Sequence, residues 1–283
     1  RLDPTIYNVS VLYGMSPVLT YLESRGRKSA TGDTKIEYIR YTSGFTGEWI
    51  GETDNTTGTG EAVTGTATAN MYFLAMPIAM SDLIGKGASS RARVQLMDFA
   101  QQGLREELNA KIVAGTGTDG QFKGLDKHME DSGTRVDLSG EKVTLNDVRA
   151  LETSLLEDKK VRPSFIMASN SVVDQLVDEM QSNVSYTAGG MQGLDIVAGI
   201  NVPKYNSNTG PIPIIQDPNV PKTPSQRRLD MLNEQHVFIE EFMSPAFIQE
   251  GRSKPFASSG WLGQIIVMYD VAPELGGQIY NIG

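Results

Sequence analysis

Residues 89–120 read SSRARVQLMDFAQQGLREELNAKIVAGTGTDG, and the spacing of their apolar positions decides what the rest of the chain must supply. Val94, Met97, Leu104, Leu108 and Ile112 follow one another at three, seven, four and four residues, which lines them along one face of an α-helix. Leu96, Phe99, Ala100 and Ala110 make a second stripe beside the first, so the apolar surface is too wide for one partner helix. A sheet, or several elements at once, is expected to cover it. Glu107 precedes Lys111 by four residues, the favourable order for a helical ion pair, and Gly115 stands where a left-handed C-cap residue belongs. At ~1.5 Å per residue, about 25 residues make a rod roughly 38 Å long. Arg91 and Arg93 fall in the first turn, where the helix dipole disfavours cations, and are read as reserved for an outside partner such as a carboxylate on another chain.

The 283 residues suffice for one large domain or two modest ones. The longest apolar stretch, Met71 to Met80, contains Pro77 and falls short of the ~20 residues of a membrane helix. The opening RLDPTIYNVSVLYG has no apolar signal core, and a start at Arg1 is read as a processed or truncated chain. With no cysteine, disulfides, thiolate metal sites and cysteine nucleophiles are excluded. A net charge of −9 without a dense Lys/Arg run excludes phosphate neutralisation on the scale of a DNA-binding domain.

In chain order, residues 1–30 are too apolar for a free tail and too broken by Pro4, Gly14 and Pro17 for a long helix, so an arm packed against something else is expected. Thr34 to Thr42 reads as a strand, with Met71 to Met80 as its return partner and Pro77 favouring an edge or bulge. Between them lies a Gly/Thr-rich loop of unusual length whose apolar anchors, Phe45, Trp49 and Ile50, call for a pocket. The whole segment from Lys35 to Met80 is expected to project from its own subunit and bury those anchors against a sister copy. After the long helix come a turn over 115–124, a short hairpin over 134–143, and a helix LNDVRALETSLLED capped by Thr144 with Leu145, Val148, Leu151 and Leu155 on one face. SFIMAS reads as a buried strand, and Asn170 or Ser171 opens a third helix through Met180. LDIVAGINV and IPIIQD read as two strands, Lys222 to Arg228 as a polar connector, and His236 to Phe242, Gln264 to Tyr269 and the end of LGGQIYNIG as further strands.

Catalytic patterns fail one by one. Gly115, Gly117 and Gly120 match G-x-G-x-x-G, but a helix enters the turn where a nucleotide fingerprint needs a strand, so the motif reads as a helix stop. His128 and His236 lie far apart and belong to no metal pattern, and no G-x-S-x-G is present. Asp230, Glu234, Glu240, Glu241 and Glu250 offer carboxylate pairs that an acidic chain produces by chance; Asp54 and Asn55 lack the rest of a calcium loop. The sequons at Asn8, Asn55 and Asn183 carry no weight without a secretory route. No catalytic, cofactor-binding or metal residue is assigned, and no cofactor is expected.

What survives is a set of parts that reach outward, in an order that resembles the Hong Kong 97-type major capsid proteins of tailed double-stranded DNA viruses. FTGEWIGETDN is similar to the family's aromatic-then-acid segment, LAMPIAMSDLIG to the strand leading out of the extended loop, FAQQGLREELNAKIVAGTGTDGQFKGL to the spine helix and its Gly-rich turn, and RPSFIMASNSVVDQL to a strand-helix step of the axial domain. The resemblance implies an α+β capsid fold with an N-terminal arm (1–30), an extended β-hairpin loop (31–80), a peripheral domain (81–143 and 241–283) with its spine helix at 89–114, and an α/β axial domain (144–240). It further implies a structural protein and not an enzyme, self-assembling into hexamers and pentamers of an icosahedral shell around viral DNA that is enclosed without specific binding. Portal, scaffolding or decoration proteins would be partners, no membrane is involved, and assembly would take place in the host cytoplasm to give a virion. Some relatives join neighbouring loops through a lysine-asparagine bond; no lysine stands between Lys35 and Lys86, so that chemistry is not carried over. An encapsulin-like compartment holding cargo protein is the alternative with the same fold.

Overall fold

A computed structural model describes residues 16–41, 64–81, 90–183, 194–197, 200–207, 210–249 and 257–283. Its early elements are helix α1 (Pro17–Ser24), β1 (Lys28–Ala30), β2 (Lys35–Tyr41), β3 (Thr64–Asn70) and β4 (Tyr72–Ser81), followed by the long helix α2 (Ser90–Ala114) and the short α3 (Leu125–Ser132). The middle of the chain supplies β5 (Thr134–Asp137), α4 (Leu145–Glu157), β6 (Phe165–Ala168), α5 (Asn170–Asn183), β7 (Leu194–Val197), β8 (Ile200–Ser207) and β9 (Gly210–Gln216). The last strands are β10 (Arg227–Leu232), β11 (Val237–Gln249), β12 (Ala257–Asp270) and β13 (Gly277–Ile282).

The periodicity of α2 finds the multi-sided partner it requires. Leu104, Leu108 and Ile112 are fully buried, and Ala100 and Leu104 pack on Ile78 and Leu262 of a four-stranded sheet ordered β1-β11-β12-β4. The Glu107–Lys111 pair forms at 3.2 Å. One member of the second stripe departs from expectation: Phe99 is 67% exposed, on the side away from the sheet.

The C-terminal glycine of α2 is needed for a different reason than the spacing implied. Gly115 does not have a positive φ. It is buried where two backbones cross, and a β-carbon there would lie 2.4 Å from the Phe122 carbonyl oxygen and 2.6 Å from that of Lys111. The left-handed residues are Gly117 (φ 77), Asp119 (φ 54) and Gly120 (φ 73), within a turn that leads from one helix into the next. A helix enters the G-x-G-x-x-G stretch, as the sequence reading requires of a helix stop.

The seven-stranded sheet, ordered β5-β13-β10-β6-β9-β8-β7, is covered on both faces at its centre. Along β6, Phe165 and Met167 join the core shared with α1, α2 and α3, whereas Ile166 and Ala168 join Val148, Leu151 and Leu155 of α4 and Val172, Val173 and Leu176 of α5. Such two-sided burial explains the unbroken apolar run of β6. Thr144 caps α4 through a reciprocal bond with Asp147.

Several expectations are corrected. The partner of β2 is β3, not residues 71–80; β4 instead pairs with β12 as the edge strand of its own subunit's sheet, where Pro77 costs no ladder bond. From Ser16 onward the N-terminal stretch is no outward arm: Val18, Leu19, Tyr21 and Leu22 are fully buried in this chain's core. The hairpin over 134–143 is a single strand running parallel to β13. LDIVAGINV divides into β7 and β8, so three strands stand where two were read, and the third helix runs on to Asn183. The polar connector ends in strand β10, and α3 was not foreseen.

Candidate assembly surface

The outer face of the four-stranded sheet is apolar and open. Cross-strand neighbours share a face, so the register defines three rungs: Met243–Ile265–Phe73, Ala246–Gly263–Ala75 and Ile248–Trp261–Pro77. The opposite register positions, Leu262, Met76 and Ile78, point into the α2 core, which turns the nine-residue grid away from the helix. Phe73 is 55% exposed and Ile248 43%. The Phe73 ring lies over Gly263, where a β-carbon would approach its Cζ to 2.7 Å, so the glycine is what lets the ring lie down on the sheet. Every position in the grid is apolar: Phe73, Pro77 and Ile248 are exposed, Gly263 is buried beneath Phe73, and the other five are half-buried.

Beside the grid stands the ribbon formed by β2 and β3, hydrogen-bonded to each other and to neither large sheet. Alternation gives it two faces. Tyr38 stacks on Tyr269 at 4.6 Å, and Tyr269 in turn on Phe238 at 5.6 Å. Arg40, on the same face, forms an ion pair with Glu274 and donates to Ser132 Oγ at 3.1 Å. Ile39, on the other face, is 65% exposed. The described part of the Lys35–Met80 segment therefore rests one face on its own subunit and does not project freely. Phe45, Trp49, Ile50, Asp54 and Asn55 lie outside the described residues.

A buried carboxyl sits under the ribbon. Asp270 is pushed up to about 7 by burial, with the Ala272 N–H bond (2.9 Å to Oδ1) pulling down, Glu274 pushing up and Arg40 pulling down. A second buried set joins Asp126, Arg228, Asp230 and Gln278: Gln278 Nε2 donates to Asp126 at 2.8 Å and to Asp230 at 2.9 Å, while Arg228 holds Asp126 at 2.6 Å. Burial and the neighbouring Asp126 raise Asp230 well above the ordinary carboxylate range.

The N-terminal helix is fastened by side chains from distant parts of the chain. Ser16 makes no side-chain cap; the Val18 N–H reaches Asp217 Oδ2 at 3.4 Å and the Leu19 N–H reaches Asn109 Oδ1 at 2.9 Å. Asn109 Nδ2 donates to the same Asp217 oxygen at 2.8 Å, and Arg105 of α2 pairs with Glu23. The sequence signal was Asn109, a polar residue interrupting the apolar face of α2.

No catalytic constellation forms from the sequence candidates. His128 is buried on α3 and held down to about 4 by burial, Lys123 and Arg40; His236 is on the turn before β11 and is lowered by burial and Arg27. Glu234 accepts from Tyr21 Oη and pairs with Arg25 at 3.6 Å, and Glu241 pairs with Lys28 at 3.3 Å. Glu240 precedes Glu241 on the same strand and alternates to the other face, Asp230 is buried in the set above, and Glu250 lies outside the described residues. Of the sequons, Asn8 and Asn55 are outside the described residues and Asn183 ends α5; Arg91 and Arg93 are in the first turn of α2, as read. Among the described residues no group of three or more His, Asp or Glu side chains converges as a metal site, and no helix is long and apolar enough to cross a membrane.

Residues 14–184 match the sequence profile described as the phage capsid family. No curated protein sequence matches the chain. Among solved structures, the cyanophage A-1(L) capsid asymmetric unit superposes with a TM-score of 0.65 at 13% identity, covering 94% of this chain and 92% of that one. The holo-SrpI encapsulin complex of Synechococcus elongatus PCC 7942 gives 0.65 at 10% identity, covering 90% and 85%. A structure from Mycobacterium phage Adephagia gives 0.60 at 13% identity, covering 92% and 89%. These likenesses are likenesses of fold.

Proposed function

Because this chain belongs to the phage capsid family and is a major capsid protein of an icosahedral shell, we propose that it assembles as hexamers and pentamers in which the open sheet grid of one copy is covered by another. The grid carries the proposal: nine apolar positions on one sheet face are what a lone soluble subunit avoids and what a shell subunit uses. In this reading α2 with β11 and β12 (81–143 and 241–283) forms the peripheral domain, the layer built from 144–240 is the axial domain, and 31–80 is the extended loop, which with the 1–30 segment lends β4 and β1 to the peripheral sheet; of that 1–30 arm, the part from Ser16 is docked in its own subunit. Strands β5 and β13, which lie in the seven-stranded sheet, would be the seam between the two.

The work is structural, without a catalysed reaction, and portal, scaffolding or decoration proteins would meet the outer or vertex surfaces of a virion assembled in the host cytoplasm. The net charge of −9 suits a wall that encloses DNA without reading its sequence. Electron microscopy of the purified protein tests the reading. Closed particles with local five- and six-fold rings are expected, and a population of monomers at assembly concentrations would overturn it. The likeness to an encapsulin supports the alternative of a compartment with protein cargo; particles from the native source that hold protein in place of DNA would favour it.

A further inference from the structure

A cavity of about 540 Å³ opens where the turn after α4 meets the start of β9 and the turn into β11. Lys160, Arg162, Asn233, Gln235 and His236 line it, over a floor that is otherwise apolar apart from Ser164. In a chain of net charge −9, none of its lining residues is acidic. Glu234, the acid on the same turn, faces away to Tyr21 and Arg25.

The two cations are placed by the backbone and have no counter-ions. Lys160 holds a left-handed conformation, φ 57, that residues with a side chain rarely adopt. Arg162 lies across Gly210, where a β-carbon would come within 2.7 Å of its Nη2; Gly210 itself has a φ of +123. Asn233 Nδ2 donates to the Arg162 carbonyl at 3.3 Å and Asn233 Oδ1 accepts from the Gln235 N–H at 3.0 Å, which ties the two turns together. Among the described residues neither Lys160 nor Arg162 forms an ion pair. A planar fork of donors, a point charge and spare amide and imidazole groups around an acid-free hollow suit a tetrahedral oxyanion. The hollow is far larger than a free phosphate, and its Val161, Pro163 and Pro211 surface would accept the carbon skeleton that carries one.

We propose that this cavity is a phosphate site that takes the phosphodiester of a nucleic acid backbone, with Arg162 bonding two of its oxygens and Lys160 neutralising its charge. The site stands on the cavity alone; only the source of the nucleic acid, DNA inside a shell, rests on the function proposed above. Contact with phosphate alone is independent of sequence, so it is consistent with a wall that reads no bases.

Fluorescence anisotropy of a short labelled DNA duplex, titrated with the full chain across ~50–200 mM salt, tests the proposal. Weak binding is expected, displaced by inorganic pyrophosphate. Arg162→Gln should weaken it about tenfold and reduce the slope of log K against log salt by about one, Lys160→Gln should act in the same direction, and Lys142→Gln, outside the cavity, should change neither. Equal losses from all three variants, or no loss from Arg162→Gln, would overturn the site. Pyrophosphate binding that depends on Arg162 without DNA binding would overturn the nucleic acid source. A protein that binds DNA through Arg162 yet forms no particles would refute the shell reading and leave the site standing.

Discussion

The two sheets are finished to different degrees. In the seven-stranded layer β6 sends alternate residues into two separate cores, so each face has its cover within the chain. The four-stranded sheet is covered by α2 on one face, whereas on the other the ribbon covers only the end at Tyr269 and Phe238 and leaves nine apolar positions in three rungs beyond it. The first sheet is a completed interior. The second is half of one, and the difference locates where the chain depends on something beyond itself.

Substitution on each sheet should break this contrast open. Leu151, fully buried on the face of α4 that meets β13, should cost ~2–5 kcal/mol of subunit stability when changed to alanine, measured by denaturant unfolding. Phe73→Ser should leave the stability of the separated subunit within ~0.5 kcal/mol, since the ring is already 55% exposed, yet prevent closed particles from forming in electron micrographs. Were Phe73→Ser to unfold the subunit as Leu151→Ala does, the grid would be interior after all and the contrast would vanish.

Acid-base behaviour sharpens the comparison at the joint between ribbon and body. Asp270, pushed up to about 7, binds its proton more tightly folded than unfolded, so its contribution to stability is complete below the ordinary aspartate range and drains away as pH rises toward 7. Asp270→Asn keeps an acceptor for the Ala272 N–H and cannot ionise. Its stability relative to the parent should therefore climb between about pH 4 and 7 and level off above, by at most ~4 kcal/mol. A pH-independent difference would show that Asp270 ionises freely where it stands.

Periodic and capped elements were legible from sequence because their causes are local. The α2 stripe, the Thr144 cap and the apolar FIMA strand each announce themselves within a few residues, and the bounds of α2 and α4 agree to within one residue. What escaped was decided at a distance. RRLDML carries three charges in six residues, and its two arginines fall in the stretch read as a polar connector, but Arg228 pairs with Asp126 and Asp230 accepts from Gln278, both from other parts of the chain. LDKHMEDS is too short and polar to show a face, and it becomes a helix because Leu125 and Met129 find a core made elsewhere. The pairing of β2 was assigned to the more apolar candidate, whereas the register chose the Thr/Ala/Gly strand next to it, leaving MYFLAMPIAM for the sheet beneath α2. Of the assembly surface, the individual apolar residues could be read but not the grid, since only the register of β11, β12 and β4 shows that they share one face.

The smallest expected effect concerns the ribbon, which belongs to neither sheet. Arg40 is 40% exposed and its pair with Glu274 is screened by water, so Arg40→Ala should lower global stability by less than ~1 kcal/mol. Local opening is a different quantity from global unfolding, because the ribbon has no ladder bonds to either large sheet and, among the described residues, is held at Arg40, at the Tyr38 stack and by the packing of Ile36 and Ala69. Losing one of those three ties should let the amides of β2 and β3 exchange with solvent roughly threefold to fivefold faster, while the amides of β6 keep their protection. Equal acceleration in both would mean that the ribbon opens only when the whole subunit unfolds, making it part of the finished interior. Acceleration confined to the ribbon places it with the open grid, among the parts whose order is completed by a neighbour.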